Sequence, residues 1–156
     1  MTMLRTTILL LGILVALPAW AGPAADANVD ILRDTIRANK KALVAVNLNL
    51  TDAEAKDFWP LYDKYEGDLK AVNDRLVKLI QEYTSNYGKL TDEQAKKLAE
   101  DYLAVEEDRT KVRRTYFADF TKVLPGKKAA RFYQIENKMD AVIRYDLAAT
   151  IPVVEQ

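Results

Sequence analysis

Two long stretches of the chain carry apolar residues at alternating steps of three and four. The first runs from Phe58 to Tyr83 and the second from Ala95 to Tyr116. This spacing is the period of about 3.5 residues that is typical of helices packed side by side. Residues 85–89 lie between them and include Gly88, as is usual where a helix ends in a turn. The pattern predicts an all-α fold built on an antiparallel helical hairpin of residues 51–84 and 92–123.

Each helix of the predicted hairpin begins with a capping box. In this motif a threonine hydroxyl accepts a hydrogen bond from the backbone N–H three residues later, and the side chain of that later residue bonds back. A leucine precedes the threonine in both copies, where a hydrophobic staple is expected. The residues of the two motifs are Leu50, Thr51, Glu54, Leu90, Thr91 and Gln94.

Two further helices are expected on either side of the hairpin. Helix 1 is predicted to start near Val29 and to fray near Asn47, although residues 42–50 also alternate with the period of a strand. Helix 4 is predicted to start after Pro125 and Gly126, and residues 151–156 to be extended. The predicted buried face of helix 1 is Val29, Leu32, Ile36, Leu43 and Val46; that of helix 4 is Phe132, Ile135, Met139, Val142 and Leu147.

Helix length predicts an elongated, thin domain. At about 1.5 Å per residue the first hairpin helix is ~50 Å long, whereas a compact globule of the size of residues 22–156 is only ~37 Å across. Apolar surface that four helices leave uncovered is expected either to form a homodimer or to bind a partner.

The N-terminus has the pattern of a secretory signal peptide. Arg5 precedes an unbroken apolar run from Ile8 to Leu17, and Ala19 and Ala21 form a small-x-small cleavage site. We therefore expect a signal peptide of residues 1–21 and one helical domain of residues 22–156. The apolar run is shorter than the about 20 residues that span a bilayer, so no membrane span is expected.

Composition argues against catalysis. The chain has no histidine and no cysteine, which removes the usual general base, the thiol nucleophile and the commonest transition-metal ligands. No glycine-rich phosphate loop is present. We therefore expect no enzyme, no metal and no cofactor. Lysine plus arginine equals aspartate plus glutamate, at 23 each, so total charge does not favour nucleic acid as a partner.

Charge is distributed unevenly along the second hairpin helix and beyond it. Residues 109–131 contain eight basic residues and one acid, Asp119. Arg109 lies on the apolar seam and is expected to pair with Asp63 or Glu66 of the facing helix. The other bases, with nearby aromatic residues, are the candidate contact surface for a partner: Trp59, Lys111, Arg113, Arg114, Tyr116, Phe117, Lys127, Lys128 and Arg131.

The sequence Leu90-Thr91-Asp92-Glu93-Gln94 is an LTxxQ motif, and residues 50–54 are the same motif with Glu54 in the last place. With the signal peptide and the helical pattern, the chain resembles the Spy/CpxP-like LTxxQ proteins of the bacterial periplasm. The resemblance implies a thin, curved helical homodimer that acts as an ATP-independent chaperone for unfolded or partly folded proteins. The alternative is an accessory module that binds one folded partner, such as a sensor domain in envelope signalling.

Overall fold

The computed structural model describes residues 39–155, which form four helices and no strand. Helix α1 covers residues 39–48, α2 Asp52–Ser85, α3 Asp92–Val123 and α4 Gly126–Thr150. The all-α fold is confirmed, and the hairpin bounds were predicted to within one residue. The predicted signal peptide and the first part of helix 1, with Val29, Leu32 and Ile36, lie outside the described residues. Within residues 39–155, no helix is long and apolar enough to cross a membrane.

Both predicted capping boxes are formed. The Thr51 hydroxyl accepts from the backbone N–H of Glu54 at 3.3 Å, and the Glu54 carboxylate accepts from the N–H of Thr51 at 2.8 Å. Thr91 and Gln94 make the same two bonds at 3.3 and 3.0 Å. Each box satisfies donors that a helix N-terminus otherwise leaves without partners, and so fixes where α2 and α3 begin.

The hairpin does not fold symmetrically about Gly88. Symmetry about that residue would place Asp108 opposite Asp68, but Asp108 pairs with Arg75, seven residues further along α2. The connection spans residues 86–91, and Gly88 adopts the left-handed φ of 71° within it. At this ion pair, therefore, the contact lies about two helical turns from the position that symmetry about Gly88 predicts.

An aromatic core lies at the end of the hairpin that is far from residues 86–91. Phe120 of α3 packs against Phe132 of α4 with ring centroids 4.5 Å apart, and Phe58 of α2 lies 5.3 Å from both rings. Edge-to-face contacts of this kind add to the free energy of burying the rings. Val44 and Leu48 of α1 complete this core.

Helix α1 lies between α2 and α4 and is held there by charges. Lys40 pairs with Glu66 of α2 at 2.6 Å and with Glu136 of α4 at 2.8 Å. Near the other end of α1, Arg131 donates from Nε to the carbonyl of Asn47 at 2.6 Å. These contacts position the apolar face of α1 on the aromatic core.

The predicted buried face of α1 is wrong within the described residues. Val44 and Leu48 are buried, whereas Leu43 and Val46 are exposed, the latter by 77 %. Apolar residues recur so often between residues 42 and 50 that periodicity does not select one face. The strand considered for this segment does not form.

The predicted face of α4 is wrong at Val142, which is 62 % exposed. The inward-facing line of α4 passes from Phe132 through Glu136, Asp140 and Arg144. Ile135 and Met139 pack against the core as predicted, but the buried side of α4 also includes polar residues that the prediction did not name. After α4, residues 151–155, here named the C-terminal segment, are non-helical as predicted.

Candidate functional site: an arginine–aromatic cleft

Four residues from the basic C-terminal half of α3 share one face. Thr110, Arg113, Arg114 and Phe117 follow the spacing i, i+3, i+4 and i+7, which places side chains above one another on a helix. Together with Tyr133 of α4 they line a cleft of ≈ 280 Å³. We name these five residues the arginine–aromatic cleft.

The two rings of the cleft are accessible. Phe117 is 39 % exposed and Tyr133 is 43 % exposed. Their centroids lie 5.9 Å apart with the ring planes at 71°, an edge-to-face arrangement that leaves ring surface open to a third group. The cleft therefore presents a preformed aromatic surface.

The two arginines of the cleft differ in their surroundings. Arg113 is partly buried and pairs through Nη2 with Asp140 at 3.3 Å, while its Nε has no hydrogen-bond partner among the described residues. Arg114 is exposed and makes no ion pair or hydrogen bond with any described residue. A guanidinium carries five N–H donors, so Arg114 is available to a carboxylate or to backbone carbonyls of a partner.

Arg113 belongs to an ion-pair cluster that joins α3 to α4. Asp140 accepts from Arg109 at 3.1 Å and from Nε of Arg144 at 2.7 Å, and Arg144 also donates to Glu106 at 2.6 Å. Burial pushes the pKa of Asp140 upward, but the three guanidinium groups outweigh it and hold that pKa below its ordinary value. The cluster consists of Glu106, Arg109, Arg113, Asp140 and Arg144.

The predicted pairing of Arg109 with Asp63 or Glu66 is wrong. Arg109 pairs with Asp140 and, at 3.5 Å, with Glu106 of its own helix. The prediction assumed that Arg109 faces α2 in a symmetric hairpin, whereas the docking of α4 on α3 brings the Asp140 carboxylate to it. Burial lowers the pKa of Arg109, and Asp140 and Glu106 oppose that effect.

Two of the predicted contact bases instead hold the fold together. Lys128 pairs with Glu54 of the first capping box and donates to the carbonyl of Asn49 at 3.0 Å. Its ammonium group lowers the pKa of Glu54. Arg131 is bonded to Asn47, as described above. Both side chains tie α4 to the link between α1 and α2.

Of the three aromatic residues predicted to contact a partner, only Phe117 lines the cleft. Trp59 packs edge-on against Phe58 and Tyr62, and Lys41 lies over its ring. No ring contact joins Trp59 to the cleft within residues 39–155. Tyr116 donates to Asp68 at 2.7 Å, and burial together with this bond raises its pKa to about 12.

Lys111 and Lys127 are exposed, and neither lines the cleft. The structure therefore brings together Arg113, Arg114 and Phe117 of the predicted set and adds Tyr133. Tyr133 was not predicted, because Pro125 and Gly126 indicate where α4 begins but not which of its exposed rings faces α3. Comparison with protein-family models, with curated proteins and with solved structures finds no match for this chain.

Proposed function

We propose that the protein is a periplasmic, ATP-independent chaperone of the holdase type, similar to the Spy/CpxP-like LTxxQ proteins. It binds unfolded or partly folded proteins at the arginine–aromatic cleft. The observation that carries the proposal is the juxtaposition of an unpaired guanidinium, Arg114, with two accessible rings, Phe117 and Tyr133. The compartment rests on the signal-peptide pattern of the first residues.

The cleft is suited to weak recognition of many sequences. Aromatic rings contact apolar side chains of any kind, and arginine adds hydrogen bonds to carboxylates and carbonyls. Unfolded proteins expose apolar side chains and backbone carbonyls together, whereas folded surfaces rarely present both in one place. A shallow cleft of this chemistry therefore favours weak binding of many different proteins over tight binding of one.

We also propose that the protein is a homodimer, as the resemblance implies, because further apolar side chains lie exposed on the same two helices. They are Leu103 of α3 and Val142 and Tyr145 of α4. Exposed apolar surface of this kind marks an interaction face. Light scattering of the protein on a sizing column measures the oligomeric state directly, and a monomer at all concentrations would contradict this part of the proposal.

The breadth of binding distinguishes a chaperone from an accessory of one partner. Several unrelated proteins are unfolded and diluted into buffer with the protein at near-stoichiometric amounts and without ATP, and aggregation is followed by light scattering. The proposal predicts suppressed aggregation for each of them. Unchanged aggregation curves would exclude the holdase, and stable binding of a single folded partner would favour the accessory module.

A further inference from the structure

A second cavity, the apolar pocket, lies near the hairpin connection between α2, α3 and α4. Its volume is ≈ 530 Å³. Leu76, Leu79 and Tyr83 continue the apolar seam of α2 into it, but they are only half-buried, unlike the seam residues of the aromatic core. Ile151 and Val154 of the C-terminal segment also line it.

The C-terminal segment closes one end of the pocket. The Tyr83 hydroxyl donates to the carbonyl of Pro152 at 2.8 Å. Further along the segment, Glu155 lies close to Gly88 of the hairpin connection: a Cβ atom built on Gly88 would be 3.5 Å from Oε2 of Glu155. The segment therefore folds back from α4 to the end of α2, and the pocket has a closed end as well as an open side.

The pocket is too large to be a packing defect. Protein interiors are close-packed, and voids larger than a water molecule are few, while a water occupies about 30 Å³ of liquid. The observed ≈ 530 Å³ lies within the range of about 300–1,000 Å³ that is typical of small-molecule sites.

The lining favours an alkyl chain over an extended peptide. Of the 15 lining residues that lie within residues 39–155, only Tyr83, Tyr102, Glu106 and Arg144 carry a polar side-chain group, and the Tyr83 hydroxyl is already hydrogen-bonded. A peptide would bring backbone N–H and C=O groups that need partners, which this lining does not supply. An alkyl chain makes no such demand, and each buried methylene contributes to its affinity.

Charge at the end away from the hairpin connection favours an anionic head group. Glu106 and Arg144 lie at that end and belong to the ion-pair cluster, in which three guanidinium groups face two carboxylates. One net positive charge remains. Arg144 uses Nε and Nη2 in its ion pairs, which leaves Nη1 available to a carboxylate.

The size of the pocket argues against a second copy of the chain as its occupant. Along α3 the lining runs from Ala95 to Glu106, about 16 Å at 1.5 Å per residue, and one helix is about 10 Å wide. This footprint is on the order of 160 Å², whereas a stable protein–protein interface buries about 800 Å² on each partner.

We propose that the apolar pocket binds a single-chain fatty acid, with its alkyl chain between α2, α3 and α4 and its carboxylate at Arg144. This activity is separate from the proposed chaperone function, because the pocket and the arginine–aromatic cleft share no lining residue.

Calorimetric titration with laurate below its micelle-forming concentration tests the proposal. We expect saturable binding of one laurate per chain. Decanoate, two methylenes shorter, should bind about fifteenfold more weakly, at about fourfold for each buried methylene. 1-Dodecanol, which lacks the charge, should bind about tenfold more weakly than laurate. No saturable binding, or equal binding of laurate and dodecanol, would overturn the proposal.

Two matched variants locate the site. Ala99 of α3 lines the pocket, whereas Ala104 of the same helix does not, and both are exposed. Ala99→Phe should weaken laurate binding at least tenfold by filling the pocket, and Ala104→Phe should leave it within twofold. Ala99→Phe should also suppress aggregation as well as the native protein does. Loss of laurate binding can therefore be distinguished from loss of the proposed chaperone function. Equal affinity of the two variants for laurate would show that laurate binds elsewhere.

Discussion

Glu136 is the most constrained ionisable residue of the aromatic end. It is only 2 % exposed, accepts a hydrogen bond from Tyr65 at 3.1 Å and pairs with Lys40 of α1. Its Oε1 has no hydrogen-bond partner among the described residues. Burial raises its pKa and Lys40 opposes the rise without cancelling it. The folded protein therefore holds this proton more tightly than the unfolded chain does.

The raised pKa of Glu136 predicts how Glu136→Gln changes stability with pH. Since the folded-state pKa exceeds the unfolded value, the contribution of Glu136 is fully present below the unfolded pKa and is lost as pH rises through the folded pKa. The native protein should therefore lose stability relative to Glu136→Gln over the pH range above 4.5, the ordinary pKa of this carboxyl. Urea unfolding across this range measures the difference, with the exposed Glu107→Gln as control. If the native protein instead becomes more stable relative to Glu136→Gln as pH rises, the pKa of Glu136 is not raised in the folded state.

At the level of single elements, the capping boxes define where α2 and α3 begin. The bonds of Thr51 and Thr91 are local, since each joins residues three apart. Local chemistry of this kind is readable in a sequence, and for this reason the hairpin bounds were predicted closely. The buried faces of α1 and α4 depend on which neighbour each helix meets, and there the predictions at Val46 and Val142 failed.

Loss of either cap should destabilise the protein. We expect Thr51→Ala and Thr91→Ala each to lower the free energy of unfolding by about 1 kcal/mol, as N-cap substitutions do. Thr115→Ala, an exposed site within α3, is the control and should cost nothing, because alanine favours helix. A Thr91→Ala protein that unfolds at the native urea concentration but no longer binds clients would make the motif a recognition site instead of a cap.

At the scale of the whole molecule, the docking of α4 on α3 creates the candidate site. The sequence indicated Arg113, Arg114 and Phe117 through the run of basic residues and the aromatic residues beside it. It did not mark Tyr133, which reaches the cleft only through tertiary packing. Likewise the basic run looked like one surface, yet Lys128 and Arg131 hold α1, α2 and α4 together. Tertiary partners are not encoded in the spacing along one helix.

The rate at which an unfolded client associates with the protein tests whether the arginine–aromatic cleft binds clients. The client is an acidic protein kept unfolded by reduction and carboxymethylation, mixed with the protein at low and high salt. Electrostatic attraction raises association rates and fades as the Debye length falls from ~10 Å at 0.1 M to ~3 Å at 1 M. We compare Arg114→Glu in the cleft with Lys127→Glu, an exposed site outside it with the same change in charge. Client binding at the cleft predicts that Arg114→Glu slows association and loses most of the salt dependence, while Lys127→Glu behaves as the native protein. A folded Arg114→Glu protein that associates at native rates at both salt concentrations would contradict it.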